Sequence, residues 1–78
     1  MDLFAELKTM IVQICAVDDD EVTPDVNLHA DLGVDSLATW TLAAAINEKY
    51  GIELPAEDIV ELEDIGELVS LVDSRING

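Results

Sequence analysis

The stretch DLGVDSL, residues 31–37, marks the point where a turn passes into a helix. Gly33 offers a backbone position that can take positive φ, which suits a sharp turn. Asp35 is the expected N-cap of an Ala- and Leu-rich helix that runs from Ser36 to about Tyr50. The pattern therefore predicts a serine in the first turn of a helix, at an exposed corner of the fold.

Apolar residues at helical spacing predict further helices on both sides of this stretch. The first is expected over Leu3–Cys15, with Asp2 near its N-terminus. A short third helix is expected over Ala56–Glu61, and a last helix begins at Asp64, which has capping-box spacing to Glu67. The apolar face of the last helix would consist of Ile65, Leu68, Val69, Val72 and Ile76.

A long connection joins the first two helices, and it begins with the acidic run Asp18–Glu21. Four apolar residues can anchor this connection to the core: Val22, Val26, Leu28 and Leu32. The only cysteine, Cys15, has no partner for an intramolecular disulfide. We therefore expect an all-α fold, a small four-helix bundle of three main helices plus one short helix, with a long loop between helices one and two. It would form a single free-standing domain over residues 1–78.

The chain is strongly acidic, with 18 Asp and Glu against 3 Lys and Arg and a formal net charge of −15. Such a field repels nucleic acid and anionic membranes and attracts proteins with basic patches. The N-terminus lacks the basic and apolar regions of a secretory signal, and no apolar run approaches the ~20 residues needed to span a bilayer. We expect a cytoplasmic protein without nucleic-acid binding or membrane insertion.

Ser36 is the candidate site of covalent modification. Its place at the positive end of a helix dipole would suit a phosphate group attached to its hydroxyl. The neighbouring acids Asp31 and Asp35 would attract a basic partner or, weakly, a divalent cation. The Asp-Ser-Leu string alone is weak evidence for a modification site, because a serine beside an aspartate N-cap is also an ordinary start of a helix.

Several segments together resemble the acyl carrier protein family along essentially the whole chain. The matching segments are residues 31–33 (DLG), residues 35–37 (DSL), the helix that follows, and residues 50–55 (YGIELP). The resemblance implies that Ser36 receives 4′-phosphopantetheine from coenzyme A through a phosphodiester bond. It also implies a carrier rather than an enzyme, which holds acyl groups as thioesters on this arm. The carrier would deliver them to enzymes of fatty-acid, polyketide or related specialised biosynthesis.

The same resemblance implies the partners. These are a phosphopantetheinyl transferase (a holo-acyl-carrier-protein synthase) and acyl-loading and acyl-transfer enzymes with basic surfaces. The carrier itself is expected to be a monomer. No metal site is expected. The candidate partner-binding residues are Asp31, Asp35, Leu37, Trp40, Ala44 and Glu48.

The second helix departs from the family in its charge. Many fatty-acid carriers have an acidic face on this helix, whereas Glu48 is the only acid in its interior here. Acids or larger apolar residues are common in the family at Ala38, Thr41, Ala44, Asn47 and Lys49. We interpret the difference as a narrower or different set of partners, with neutral drift of surface positions as the alternative.

Trp40 is the most unusual residue of the second helix. Burial in the bundle or under the loop is the ordinary expectation for so large an apolar side chain. The alternative follows from helical spacing, because Trp40 shares a face with Ser36 and Ala44 and would then be exposed beside the arm. The core residues expected from this helix are Leu42, Ala45, Ile46 and Tyr50.

The sequence is also compatible with two other functions. An aminoacyl or peptidyl carrier is disfavoured by Asp35, because those carriers usually have a Gly-His-Ser or similar context. An unmodified acidic helical adaptor would bind a basic partner through Leu37 and Trp40. Cys15 and His29 are expected to have structural roles, because no residues that could activate them lie nearby in sequence.

Overall fold

The computed structural model describes residues 2–78, and its elements are all helical. We name the four α-helices α1 (Leu3–Cys15), α2 (Ser36–Tyr50), α3 (Ala56–Val60) and α4 (Ile65–Asn77). A single 3₁₀ turn over Asp19–Glu21, which was not predicted, interrupts the connection between α1 and α2. The predicted four-helix bundle with one short helix and a long first loop is confirmed. Helix α3 ends one residue earlier than expected.

Aspartate side chains begin the three long helices. Each accepts a hydrogen bond from a backbone N–H of the first turn: Asp2 from Phe4 at 3.1 Å, Asp35 from Ala38 at 2.8 Å, and Asp64 from Glu67 at 2.9 Å. These bonds satisfy N–H groups that have no partner within the helix. The predicted capping box of α4 is half-formed: Asp64 accepts from the Glu67 N–H, but the Glu67 carboxylate accepts from the N–H of Glu63 at 2.6 Å and not from that of Asp64.

Two helices end in a left-handed residue. Ala16 follows α1 with φ of 56°, and Gly51 follows α2 with φ of 64°. Glycine adopts this conformation freely, whereas a residue with a Cβ atom does so at a cost. Ala16 is therefore a strained helix end, and Gly51 is the unstrained one predicted from the sequence.

The core is formed by apolar side chains from all four helices and the loops. The fully buried apolar residues of the helices are Leu7, Ile11, Leu42, Ile46, Ile59, Ile65, Leu68 and Val72. Helix α1 packs against α2 and α4, and α2 also packs against α3. Two expectations need correction: Ala45 and Tyr50 are only half-buried, and Ile76 is exposed because it lies in the last turn of α4, past the core.

The long loop is tied to the start of α4. The Asn27 side chain accepts hydrogen bonds from the N–H groups of His29 and Ala30, both at 2.8 Å, and donates to the carbonyl of Glu63 at 2.9 Å. Two backbone bonds join the same segments, from Ile65 N–H to Val26 and from Gly66 N–H to Pro24. Val22 and Leu28 are buried beneath this junction, and Val26 and Leu32 are partly buried, as predicted. The loop is thus a fixed part of the fold.

None of the helices within residues 2–78 has both the length and the apolar character needed to cross a membrane.

Candidate functional site

Ser36 is the first residue of α2 and is exposed to solvent. Among the described residues, no hydrogen bond holds its hydroxyl group. The N–H groups of Ser36 and Leu37 belong to the first turn and so have no acceptor within the helix. The structure therefore presents a free hydroxyl beside free backbone donors at the positive end of the α2 dipole.

The turn before α2 fixes the direction in which Ser36 faces. Gly33 has φ of 67°, and an added Cβ there would meet no atom within 4 Å, so backbone conformation alone favours glycine. Val34 is buried, and its N–H donates to the carbonyl of Leu28 at 2.9 Å. Because Val34 points into the core and Asp35 caps the helix, Ser36 is left on the outside.

A buried hydroxyl supports the same turn from below. Thr39 is fully buried, and its hydroxyl donates to the carbonyl of Asp35 at 2.9 Å. The Nε2 atom of His29 lies 3.1 Å from the hydroxyl oxygen of Thr39. Since the threonine proton is already directed at Asp35, His29 is the donor in this contact. His29 therefore has a structural contact, in line with its expected role.

The two acids near Ser36 both bind backbone groups. The Asp31 carboxylate accepts from the N–H of Asn27 at 2.7 Å, and the Asp35 carboxylate caps α2. Both residues stay exposed, so each can still contact a partner. No set of three or more Asp, Glu, His or Cys side chains within residues 2–78 is arranged to hold a metal ion.

The expected burial of Trp40 is wrong. Its side chain is 70% exposed, and Leu37 one turn before it is 76% exposed. The buried side of α2 is filled by Thr39, Leu42, Ala43 and Ile46, which leaves no inward position for residue 40. Trp40 therefore lies on the outer side of the helix, on the same face as Ser36.

A groove of about 440 Å³ runs from Ser36 between α2 and α3. Trp40 and Ala44 form its α2 side, and Val60 of α3 lies among its opposite lining. One supporting residue, Asn47, had no signal in the sequence that indicated its role. Its side chain donates to the carbonyl of Leu54 at 3.1 Å and accepts from the Leu54 N–H at 2.7 Å, which holds the floor of the groove to α2.

The charge around the site is negative, but α2 itself is nearly neutral. Residues 36–47 contain no charged side chain, and Glu48 is exposed in the turn that follows. Each cation of the chain pairs with an acid: Lys8 with Asp19 at 3.4 Å, Lys49 with Glu6 at 3.9 Å, and Arg75 with Asp58 at 3.5 Å. The remaining acids have no cation of the chain within ion-pair distance across residues 2–78, so the field outside the protein is negative.

Cys15 is half-buried at the end of α1. Burial, together with the charge of Asp35, raises the pKa of its thiol above the ordinary value. The thiol is therefore protonated at neutral pH, and the reactive thiolate form is disfavoured.

Comparisons with known proteins give matches over most of the chain. Residues 5–72 match the family model described as "Phosphopantetheine attachment site". The chain is also 34% identical over 75 residues to an acyl carrier protein of Helicobacter pylori (strain G27), and the aligned part covers 96% of each chain.

Proposed function

Since the chain belongs to the acyl carrier protein family, we propose that Ser36 is the residue that bears its phosphopantetheine arm. The protein is a carrier with covalently attached 4′-phosphopantetheine and not a catalyst. When attached, the arm supplies a thiol that can hold an acyl group as a thioester. Ser36 provides the hydroxyl that forms the phosphodiester bond, and α2 holds that bond at an exposed corner.

The position of Ser36 is the observation that carries this proposal. The chain has two other serines, Ser70 and Ser74, and both lie within α4, where the backbone N–H groups are used by the helix. Only Ser36 combines exposure with a helix N-terminus, where a phosphate gains from free N–H donors and the helix dipole. The group therefore fits the residues present at this corner.

The cargo that we propose is an acyl group of fatty-acid, polyketide or related biosynthesis. Asp35 directly precedes the serine and caps α2, which supports an acyl carrier over an aminoacyl carrier. A tethered cargo reaches a docked enzyme at high effective concentration, so the carrier needs only a weak and brief contact with each partner. The proposed partners are a phosphopantetheinyl transferase and acyl-transferring enzymes, met in the cytoplasm by a monomeric carrier.

Intact-mass measurement after co-production with a broad-specificity phosphopantetheinyl transferase tests the site. The wild-type chain should gain the mass of one phosphopantetheinyl group, and Ser36→Ala should gain none. A variant with both Ser70→Ala and Ser74→Ala is the matched control and should load like the wild type. Loading of Ser36→Ala, or an unchanged mass of the wild-type chain, would contradict the proposal. Mass analysis of the group released from the thioester in the native host would then identify the cargo.

A further inference from the structure

Large apolar side chains surround Ser36 on the surface. Leu37 is 76% exposed, Trp40 70% and Val60 53%. Leu37, Trp40 and Ala44 follow one another at helical spacing along α2, and Val60 lies across the groove from Trp40 and Ala44. We call these four residues the apolar face. An exposed tryptophan within such a cluster is unusual for a surface that meets only water.

The apolar face lies in the part of an acidic protein that has no charge. The net charge is −15, yet residues 36–47 carry none of it. Exposed acids border the face instead, with Asp35 at one end, Glu48 at the other, and Glu57 of α3 across the groove. Protein interfaces have this arrangement, with an uncharged, aromatic-rich centre and a polar rim. The charge pattern therefore points to a protein partner.

We propose that the apolar face docks partner enzymes through an apolar hollow that receives Trp40, with the cations of the partner confined to the rim of that hollow. The proposal rests on the function proposed for Ser36, because it concerns the enzymes that act on the arm. Charge complementarity selects this occupant. A basic stripe laid along α2 would meet no acid over residues 36–47, whereas cations at the rim would meet Asp35, Glu48 and the acids of α3.

Trp40 is the expected anchor of this contact. Binding energy at interfaces is concentrated in a few central residues, and tryptophan is strongly enriched among them. The side chain also stands on a helix that is held in place on both sides of it, by the contact of Thr39 with His29 and by the bonds of Asn47 to Leu54. Docking therefore needs little ordering of the carrier, which reduces its entropic cost.

Two phosphopantetheinyl transferases serve as probes, one chosen for an apolar hollow at its carrier-docking surface and one for a basic docking surface. The measured quantity is kcat/KM for loading of Ser36. We expect the apolar transferase to load the wild-type chain faster. With that enzyme, Trp40→Ala should lower kcat/KM by about tenfold or more, and Trp40→Phe by less. Ile76→Ala removes an exposed apolar residue of α4 away from the groove and should have no effect.

Ala44→Glu provides a second test that adds a charge to the exposed middle of α2. It should slow loading by the apolar transferase and speed loading by the basic one. Circular dichroism and thermal melting establish that each variant stays folded, which is expected because the altered side chains are exposed.

The outcomes separate this inference from the proposed function. If the wild-type chain loads but Trp40→Ala behaves like Ile76→Ala, or if the basic transferase is preferred, the inference fails and Ser36 keeps its role. It also fails if Trp40→Ala changes only self-association in sedimentation, which would make the face a dimer contact. A change only in the hydrolysis rate of the acyl thioester would likewise assign Trp40 to the cargo and overturn the inference. If neither transferase loads the wild-type chain, the proposed function is what fails.

Discussion

The imidazole of His29 donates a hydrogen bond to the hydroxyl of Thr39, with 3.1 Å between Nε2 and Oγ1. This bond joins the long loop to the first turn of α2, directly beneath the corner that presents Ser36. The same hydroxyl donates to the carbonyl of Asp35, so a loop residue, a buried threonine and the helix cap form one continuous chain of bonds.

Removal of the imidazole should weaken this corner. His29→Ala is expected to lower the free energy of unfolding by about 1 kcal/mol, because one partly buried hydrogen bond and the ring contacts are lost. His29→Gln keeps an N–H donor and should lose less. Urea unfolding followed by circular dichroism measures both, and an Ala variant as stable as the wild type would contradict the assigned role.

Asn27 should matter more than any other polar residue of the loop. Asn27→Ala removes two accepted bonds and the donated bonds to Leu62 and Glu63 at once, and is expected to cost about 2–3 kcal/mol of unfolding free energy. Asn27→Asp keeps the acceptor oxygens for His29 and Ala30 but loses the donor to Glu63 and adds a charge, so it should cost less. Thermal and urea unfolding rank the variants, and equal losses for both would show that the bond to Glu63 carries the effect.

A change at the end of α1 should stabilise the protein. Ala16 has φ of 56°, and Ala16→Gly is expected to raise the free energy of unfolding by up to about 1 kcal/mol, because the strain of the Cβ atom is relieved. Gly51→Ala is the matched control, since it introduces the same strain at the end of α2 without a steric clash. Gly51→Ala should therefore lower the free energy of unfolding. The two melting temperatures must move in opposite directions.

Tyr50 gives the protein a defined response to alkaline pH. Burial of the phenol, its hydrogen bond to Glu6 at 2.8 Å and the charge of Glu6 raise the pKa of Tyr50 from 10.0 to about 12. The folded state therefore keeps this proton at pH values where the unfolded state releases it. The contribution of Tyr50 to stability is complete below pH 10 and is lost as the pH rises toward 12.

The tyrosinate absorbance band measures this pKa directly, because the chain has one tyrosine. Glu6→Gln should lower the pKa of Tyr50 toward 10.0 without reaching it, since burial is the largest cause of the shift. Tyr50→Phe should remove the corresponding part of the stability loss between pH 10 and 12. A midpoint near 10 in the folded wild type would contradict the contact with Glu6.

Added salt should stabilise the fold. Each of the three cations already pairs with an acid, and the net charge of −15 opposes compaction. Screening weakens that repulsion, so the melting temperature should rise from low to physiological ionic strength. Glu61→Gln, which removes one exposed acid, should melt higher than the wild type in low salt, and the difference should shrink as salt is added. A melting temperature independent of salt would show that repulsion does not limit stability.

The sequence predicted the helices well because the signals for them are local. Asp2, Asp35 and Asp64 each cap a helix from within a few residues, and Gly51 ends one at the position expected. The corner at Ser36 followed from the same local signals. The bond from Asn27 to Glu63 could not be predicted, because it joins residues distant in the chain and neither residue type indicates the other.

The direction of Trp40 could not be predicted for a different reason. Small and apolar residues occur on every side of α2, among them Ala38, Ala43 and Ala44, so the pattern does not distinguish an inner from an outer face. Packing against α1 and α3 decides which side is buried, and it selects Thr39 over Trp40. A polar residue in the core and a tryptophan on the surface are the reverse of what hydrophobicity alone indicates.

Trp40 is the only tryptophan of the chain, and it lies in the open within the groove that begins at Ser36. The protein therefore contains its own fluorescent reporter at the corner where its arm is expected. In the free protein, the indole should emit at the long wavelengths of a hydrated ring and be readily quenched by iodide. Whatever covers this corner will shift that emission to shorter wavelengths, so its arrival and departure can be followed in real time without an added dye.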